Sequence, residues 1–150
     1  MTVISPVCWL TTQAAVERFR AEVIDPALAA PPGAARVHRL IDGWIASVQR
    51  PLFCGGCFFS AAAAELDGRP GPVRDRLVEI TQARLGLLVE QLQIAQRTGE
   101  LPGADPTQLA FRLRAYVLEA NWAAQLLGDA AAFTRARAAV ADALTPNPPR

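Results

Sequence analysis

RPLFCGGCFFSAAAAELDGRPGPV, residues 50–73, is the stretch on which the reading of the fold turns. It gathers two adjacent glycines (Gly55, Gly56), a Cys-x-x-Cys pair (Cys54, Cys57), the neighbours Phe58 and Phe59, an alanine run and the breaker Gly68-Arg69-Pro70-Gly71-Pro72. A short helix is expected from about Phe58 to Glu65, stopped by the breaker. Pro72 then takes the first position of a long helix running to about Thr98, because proline fits the first helical turn and cannot continue a preceding one. Everything to either side reads as plain amphipathic helix. Specificity is therefore expected here, where regular structure on a rigid scaffold is interrupted.

Towards the N-terminus, Val37, Leu40, Ile41, Trp44, Ile45 and Val48 fall at i, i+3, i+4, i+7, i+8 and i+11, one clean apolar helix face. Pro31-Pro32-Gly33 separates that helix from an earlier one. The earlier helix opens on Ser5-Pro6 as cap and first-turn proline, and carries the stripe Val7, Leu10, Ala14, Phe19 and Val23. It is expected to end or kink near Asp25-Pro26.

Towards the C-terminus, the long helix shows two stripes: Val73, Leu77, Ile80, Leu87 and Ile94, and then Val78, Leu85, Leu88 and Leu92. Two stripes predict a central helix packed on two sides. Gly99 closes it, and Asp105-Pro106 opens another helix that reaches Gly128. One stripe there is Leu109, Leu113, Val117, Ala120, Ala124 and Leu127; a second is Phe111, Leu118, Trp122 and Leu126. Asp129 is read as the cap of a last helix bearing Phe133, Ala136, Val140 and Leu144. Pro146 to Arg150 reads as a disordered tail, leaving residues 1–145 as one domain.

No segment alternates with a period of two for long enough to form a strand. The expected fold is all-α, a bundle of about six helices. The surplus apolar faces of the last two helices predict a homodimer joined by an intermolecular four-helix bundle, with Leu118, Trp122, Leu126, Phe133, Ala136 and Val140 at the interface. Composition agrees: the chain is 51% hydrophobic and 19% charged, with mean hydropathy +0.18, and such excess points to an oligomer interface, an internal ligand cavity, or both.

The net charge is +1, and all fifteen basic residues are arginines without a basic run. Clustered cations supply most unspecific affinity for nucleic acid, so this chain alone is a poor candidate to grip DNA. Apolar runs are broken before about 18 residues, which argues against a membrane span. The start, MTVISPVCWLTTQ, lacks a basic n-region, from which a cytoplasmic location is expected.

GGCFFSAAAAELDGRPGPVRDRL, residues 55–77, resembles the regulatory domain of TetR-family transcriptional repressors. ERFRAEVIDPAL, residues 17–28, is similar to the helix linking the two domains of such repressors, and ANWAAQLLGD, residues 120–129, to the end of their first dimerisation helix. The likeness runs from about Gln13 to Leu144. It implies a domain that binds a small, largely apolar ligand between its helices and dimerises through its last two. Such repressors begin with a helix-turn-helix domain, whereas about ten residues precede the linker-like helix here. The expectation is a regulatory half without its own reading head, or a role that needs no DNA. DNA would be reached only through an upstream helix-turn-helix domain or a mixed dimer.

For ligand contact the candidates are Trp44, Phe53, Cys57, Phe58, Phe59, Leu88, Tyr116, Arg84 and Gln91, since such sites are mostly apolar with a few polar groups. Their plain alternative is core packing for the apolar ones and an exposed face for Arg84 and Gln91. Trp122 and Phe133 could equally belong to the protomer core. Cys54 and Cys57 also raise a thiol redox or metal enzyme. That reading lacks a strand context, further ligands beyond Cys8 and His38, and a base, so no catalytic residue, metal or cofactor is assigned. His38 is expected at the surface. A third reading is an interaction protein that forms mixed dimers with full-length repressors.

Overall fold

A computed structural model describes residues 6–50 and 56–146, with side chains from residue 11 onward. Among them all regular structure is helical: α1 (Pro6–Phe19), a π turn (Arg20–Ile24), α2 (Asp25–Leu28), α3 (Ala34–Gln49), α4 (Phe58–Leu66), α5 (Pro72–Arg97), α6 (Pro106–Leu127) and α7 (Ala132–Ala143). With α1, the π turn and α2 taken as one rod, the bundle has the six helices expected. Phe53, Cys54, Gly55 and residues 147–150 of the tail lie outside the described residues, as do the side chains of Val7, Cys8 and Leu10. None of the described helices is long and apolar enough to cross a membrane.

The interruption expected at Asp25-Pro26 is taken up one turn earlier. Pro26 offers no amide proton and its ring crowds the carbonyl four residues back. The ladder widens instead, so that the Asp25 N–H bonds to the Arg20 carbonyl in the π register. Arg36 of α3 covers the end of the rod, its guanidinium donating to the carbonyls of Leu28 at 3.1 Å and Ala30 at 2.8 Å. On α1 the buried residues are Thr12 and Ala15, with Val23 on the π turn, whereas Ala14 is exposed and stands outside the face.

α3 buries all six residues of its predicted face. Its N-terminus is capped by other parts of the chain. Gly33, with φ +102°, donates its N–H to Gln91 Oε1 at 3.2 Å, and Ala34 donates to Glu100 Oε2 at 3.1 Å. A side chain on Gly33 would be strained by that φ and would overlap the Glu100 carboxylate.

α5 departs from the two-stripe expectation. Its buried residues include Val73, Leu77, Ile80, Leu88, Gln91 and Ala95, which with Arg84 lie on one continuous 3.6-period face. Leu92 is buried beside that face, while Val78 is 38% exposed and Leu85, Leu87 and Ile94 are half-buried. The hydropathy pattern split one face in two because its inward positions 84 and 91 are polar.

α6 opens as expected, Asp105 Oδ1 accepting from Thr107 N–H at 2.9 Å and Gln108 N–H at 3.1 Å. It ends at Gly128, whose left-handed φ of +67° suits glycine. The cap of α7 is Ala131, two residues beyond the Asp129 expected; Asp129 accepts from the Ala131 N–H at 3.0 Å and pairs with Arg135. α7 packs on α6 of its own protomer. Phe133, Ala136 and Val140 are buried there at 7%, 5% and 3% exposure, so these three belong to the protomer's core instead of a free face. The core lies among α3, α5 and α6, where Ile41, Ile45, Leu92 and Leu113 are the largest fully buried apolar side chains.

Candidate functional site

Five helices and the π turn line a cavity of about 280 Å³, near the lower end of the roughly 300–1,000 Å³ common for small-molecule sites. The rod contributes Phe19, Val23 and Ile24, and α3 contributes Leu40, Ile41 and Trp44. Cys57, Phe59, Ser60 and Ala63 come from the start and body of α4. α5 adds Thr81, Arg84, Leu85 and Leu88, and α6 adds Arg114 and Leu118. Ala63 and Thr81 are solvent-exposed and so mark the rim, between α4 and α5.

The α4 wall is fixed to α6. Gly56, with φ +80°, brings the chain close enough for the Cys57 N–H to donate to Asn121 Oδ1 at 3.1 Å, and a Cβ at Gly56 would overlap that oxygen. Asn121 is 8% exposed, and this bond accounts for its acceptor. The Cys57 thiol is thereby held on the cavity wall, buried and not in a disulfide. Among the described residues no group of three or more His, Cys, Asp or Glu comes together as a metal set.

At the centre of the wall, the Arg84 guanidinium carbon lies 3.8 Å from the ring centroid of Phe19 and 4.8 Å from those of Trp44 and Phe59. Phe59 in turn meets Phe19 edge-on at 5.8 Å and Phe58 at 5.6 Å. Each ring face attracts the cation by about 0.5–2 kcal/mol. Burial pushes the Arg84 pKa down to about 10; Cys57 raises it and the like charge of Arg114 lowers it. Among the described residues no carboxylate lines the cavity, and two buried polar atoms of its lining residues, Trp44 Nε1 and Ser60 Oγ, have no hydrogen-bond partner.

Of the residues singled out in the sequence, Trp44, Cys57, Phe59, Arg84 and Leu88 meet on this cavity. Phe58 faces a smaller recess between α1 and α4. Gln91 is buried but serves the α3 cap, and Tyr116 is half-buried against the core. Phe53 lies outside the described residues. Arg84 and Gln91 are therefore inward, not on an exposed face. Leu118, grouped with the interface in sequence, is half-buried on the cavity, whereas Trp122 and Leu126 are 51% and 66% exposed. His38 is exposed. Ser60, Thr81 and Arg114 escaped sequence reading. Arg114 carries a weak signal, standing four residues before Leu118 on the same ridge of α6; Ser60 and Thr81 carry none.

A family model described as Tetracyclin repressor-like, C-terminal domain matches residues 33–140. No curated protein matches the chain.

Proposed function

The chain belongs to the Tetracyclin repressor-like C-terminal domains, and from that premise we propose that it is the ligand-sensing and dimerisation domain of a TetR-like transcriptional regulator. The observation that carries this is helix α6. Its Arg114 and Leu118 face the cavity, while Phe111, Trp122 and Leu126 on the same helix are 66%, 51% and 66% exposed. A row of bare aromatic and leucine side chains is what a partner helix covers, and buried tryptophans often dominate such contacts.

In this reading two protomers lay α6 and α7 together as a four-helix bundle with two-fold symmetry. The share of α7 is its exposed face, Thr134, Ala138 and Ala141, whose small side chains permit close approach. A ligand that moves α6 at the cavity then acts on the dimer geometry through the same rigid element. Reading heads, carried upstream on this protein or by a partner in a mixed dimer, would be respaced on DNA by that change. The family's regulatory domain is normally non-enzymatic, and the thiol of Cys57 is read here as part of the cavity wall.

Light scattering on the chain and on Trp122→Glu tests the proposal. A dimer is expected for the parent. The variant should keep its helical circular dichroism and lose at least about thirtyfold in dimer affinity, the loss of one hot-spot residue. A monomeric parent, or a variant that dimerises unchanged, would sink it.

A further inference from the structure

The cavity described above is apolar over most of its surface, yet both of its charged side chains are arginines. Arg84 and Arg114 bring two positive charges, and the wall supplies no carboxylate to meet them. Among the described residues neither forms an ion pair. The residues whose side chains lie outside the description, 1–10, 51–55 and 147–150, carry no Asp or Glu either. Trp44 Nε1 and Ser60 Oγ, on residues that line the same cavity, are buried with no hydrogen-bond partner among the described residues. Buried polar groups are ordinarily satisfied, and a charge taken out of water without a counter-charge burdens the fold.

We propose that the cavity takes a small amphipathic monoanion, an apolar body ending in a carboxylate, with the carboxylate on Arg84 and Arg114. This rests on the reading of the domain as a ligand sensor and names the ligand class of that site. The aromatic cage surrounds a guanidinium that has no hydrogen-bond or ion-pair partner among the described residues, and arginine pairs with carboxylates through a fork of N–H groups. Val23, Ile41, Leu85 and Leu88 offer the apolar body its surface. A cationic ligand would add a third positive charge to a wall without acids, and the ring faces that could receive it are already engaged by Arg84. A neutral apolar ligand would leave both guanidinium groups without a counter-charge. The lowered Arg84 pKa of about 10 still keeps the group charged at neutral pH.

Calorimetric titration of the full chain with octanoate, 1-octanol and octylamine holds the apolar body constant and varies the head. Octanoate should bind at least about tenfold more tightly than 1-octanol, with octylamine weakest. In Arg84→Met the octanoate affinity should fall at least about tenfold while 1-octanol is retained. Arg114→Met leaves the aromatic cage around Arg84 intact but removes the second positive charge of the lining, and should lose octanoate affinity by a few-fold. It carries the test if the Arg84 variant does not fold. Tighter binding of 1-octanol or octylamine than of octanoate, or octanoate binding indifferent to both substitutions, overturns the anion inference and leaves the ligand-sensing reading in place. Binding of none of the three overturns both.

Discussion

Arg84 and Gln91 stand about two turns apart on the same buried face of α5, and their surroundings differ completely. Gln91, 2% exposed, gives its carbonyl oxygen to the Gly33 N–H and helps close the N-terminus of α3 with Glu100. Arg84 faces three aromatic rings and the cavity, with no acceptor for its charge among the described residues. One polar side chain completes the scaffold; the other lines the cavity for which we propose an anionic ligand. A polar residue at an inward helical position is thus sorted by its partner: satisfied by backbone, it specifies packing, and unsatisfied beside a cavity, it marks a site.

The contrast sharpens most at Gln91. Gln91→Met conserves volume but strands the Gly33 N–H in the interior, and urea unfolding should register a loss of about 1–3 kcal/mol. Ligand affinity should hardly change, because Gln91 does not line the cavity. Arg84→Met should move stability the opposite way, from no change to a gain of about 2 kcal/mol. Removing an uncompensated buried charge offsets the lost ring contacts. The smallest effect is expected for Glu100→Gln, which keeps the oxygen that accepts from Ala34 but removes the negative charge at the α3 N-terminus. Its cost should be about 0.3–1 kcal/mol and should shrink with added salt, which a salt series of unfolding curves would register. A Glu100→Gln loss as large as that of Gln91→Met would show that charge, not hydrogen bonding, holds the junction.

Legibility in the sequence follows the same division. α3 was fully legible, since Val37, Leu40, Ile41, Trp44, Ile45 and Val48 are uniformly apolar and uniformly buried. α5 was not, because hydropathy treats arginine and glutamine as boundaries and so hid a face that only their partners explain. The α7 residues Phe133, Ala136 and Val140 expose a second limit. A periodic face states that a helix is covered, but not whether the cover comes from its own chain, and here α6 of the same protomer supplies it. The Gly-Gly-Cys string announced a special turn, yet its reason, the Asn121 carbonyl meeting the Cys57 N–H, joins residues 64 apart in sequence. The exposed row on α6 could be read because its leucines and tryptophan exceed what one core can absorb.

Urea unfolding of the parent, Gln91→Met and Arg84→Met, each at one protomer concentration and with or without octanoate, tests this division most directly. Without ligand, the midpoint of Arg84→Met should equal or exceed that of the parent, and Gln91→Met should fall below it. With octanoate, the parent and Gln91→Met should both rise by mass action, while Arg84→Met stays where it was. Equal destabilisation of the two variants, with octanoate shifting both alike, would contradict the account and make Arg84 as structural as Gln91.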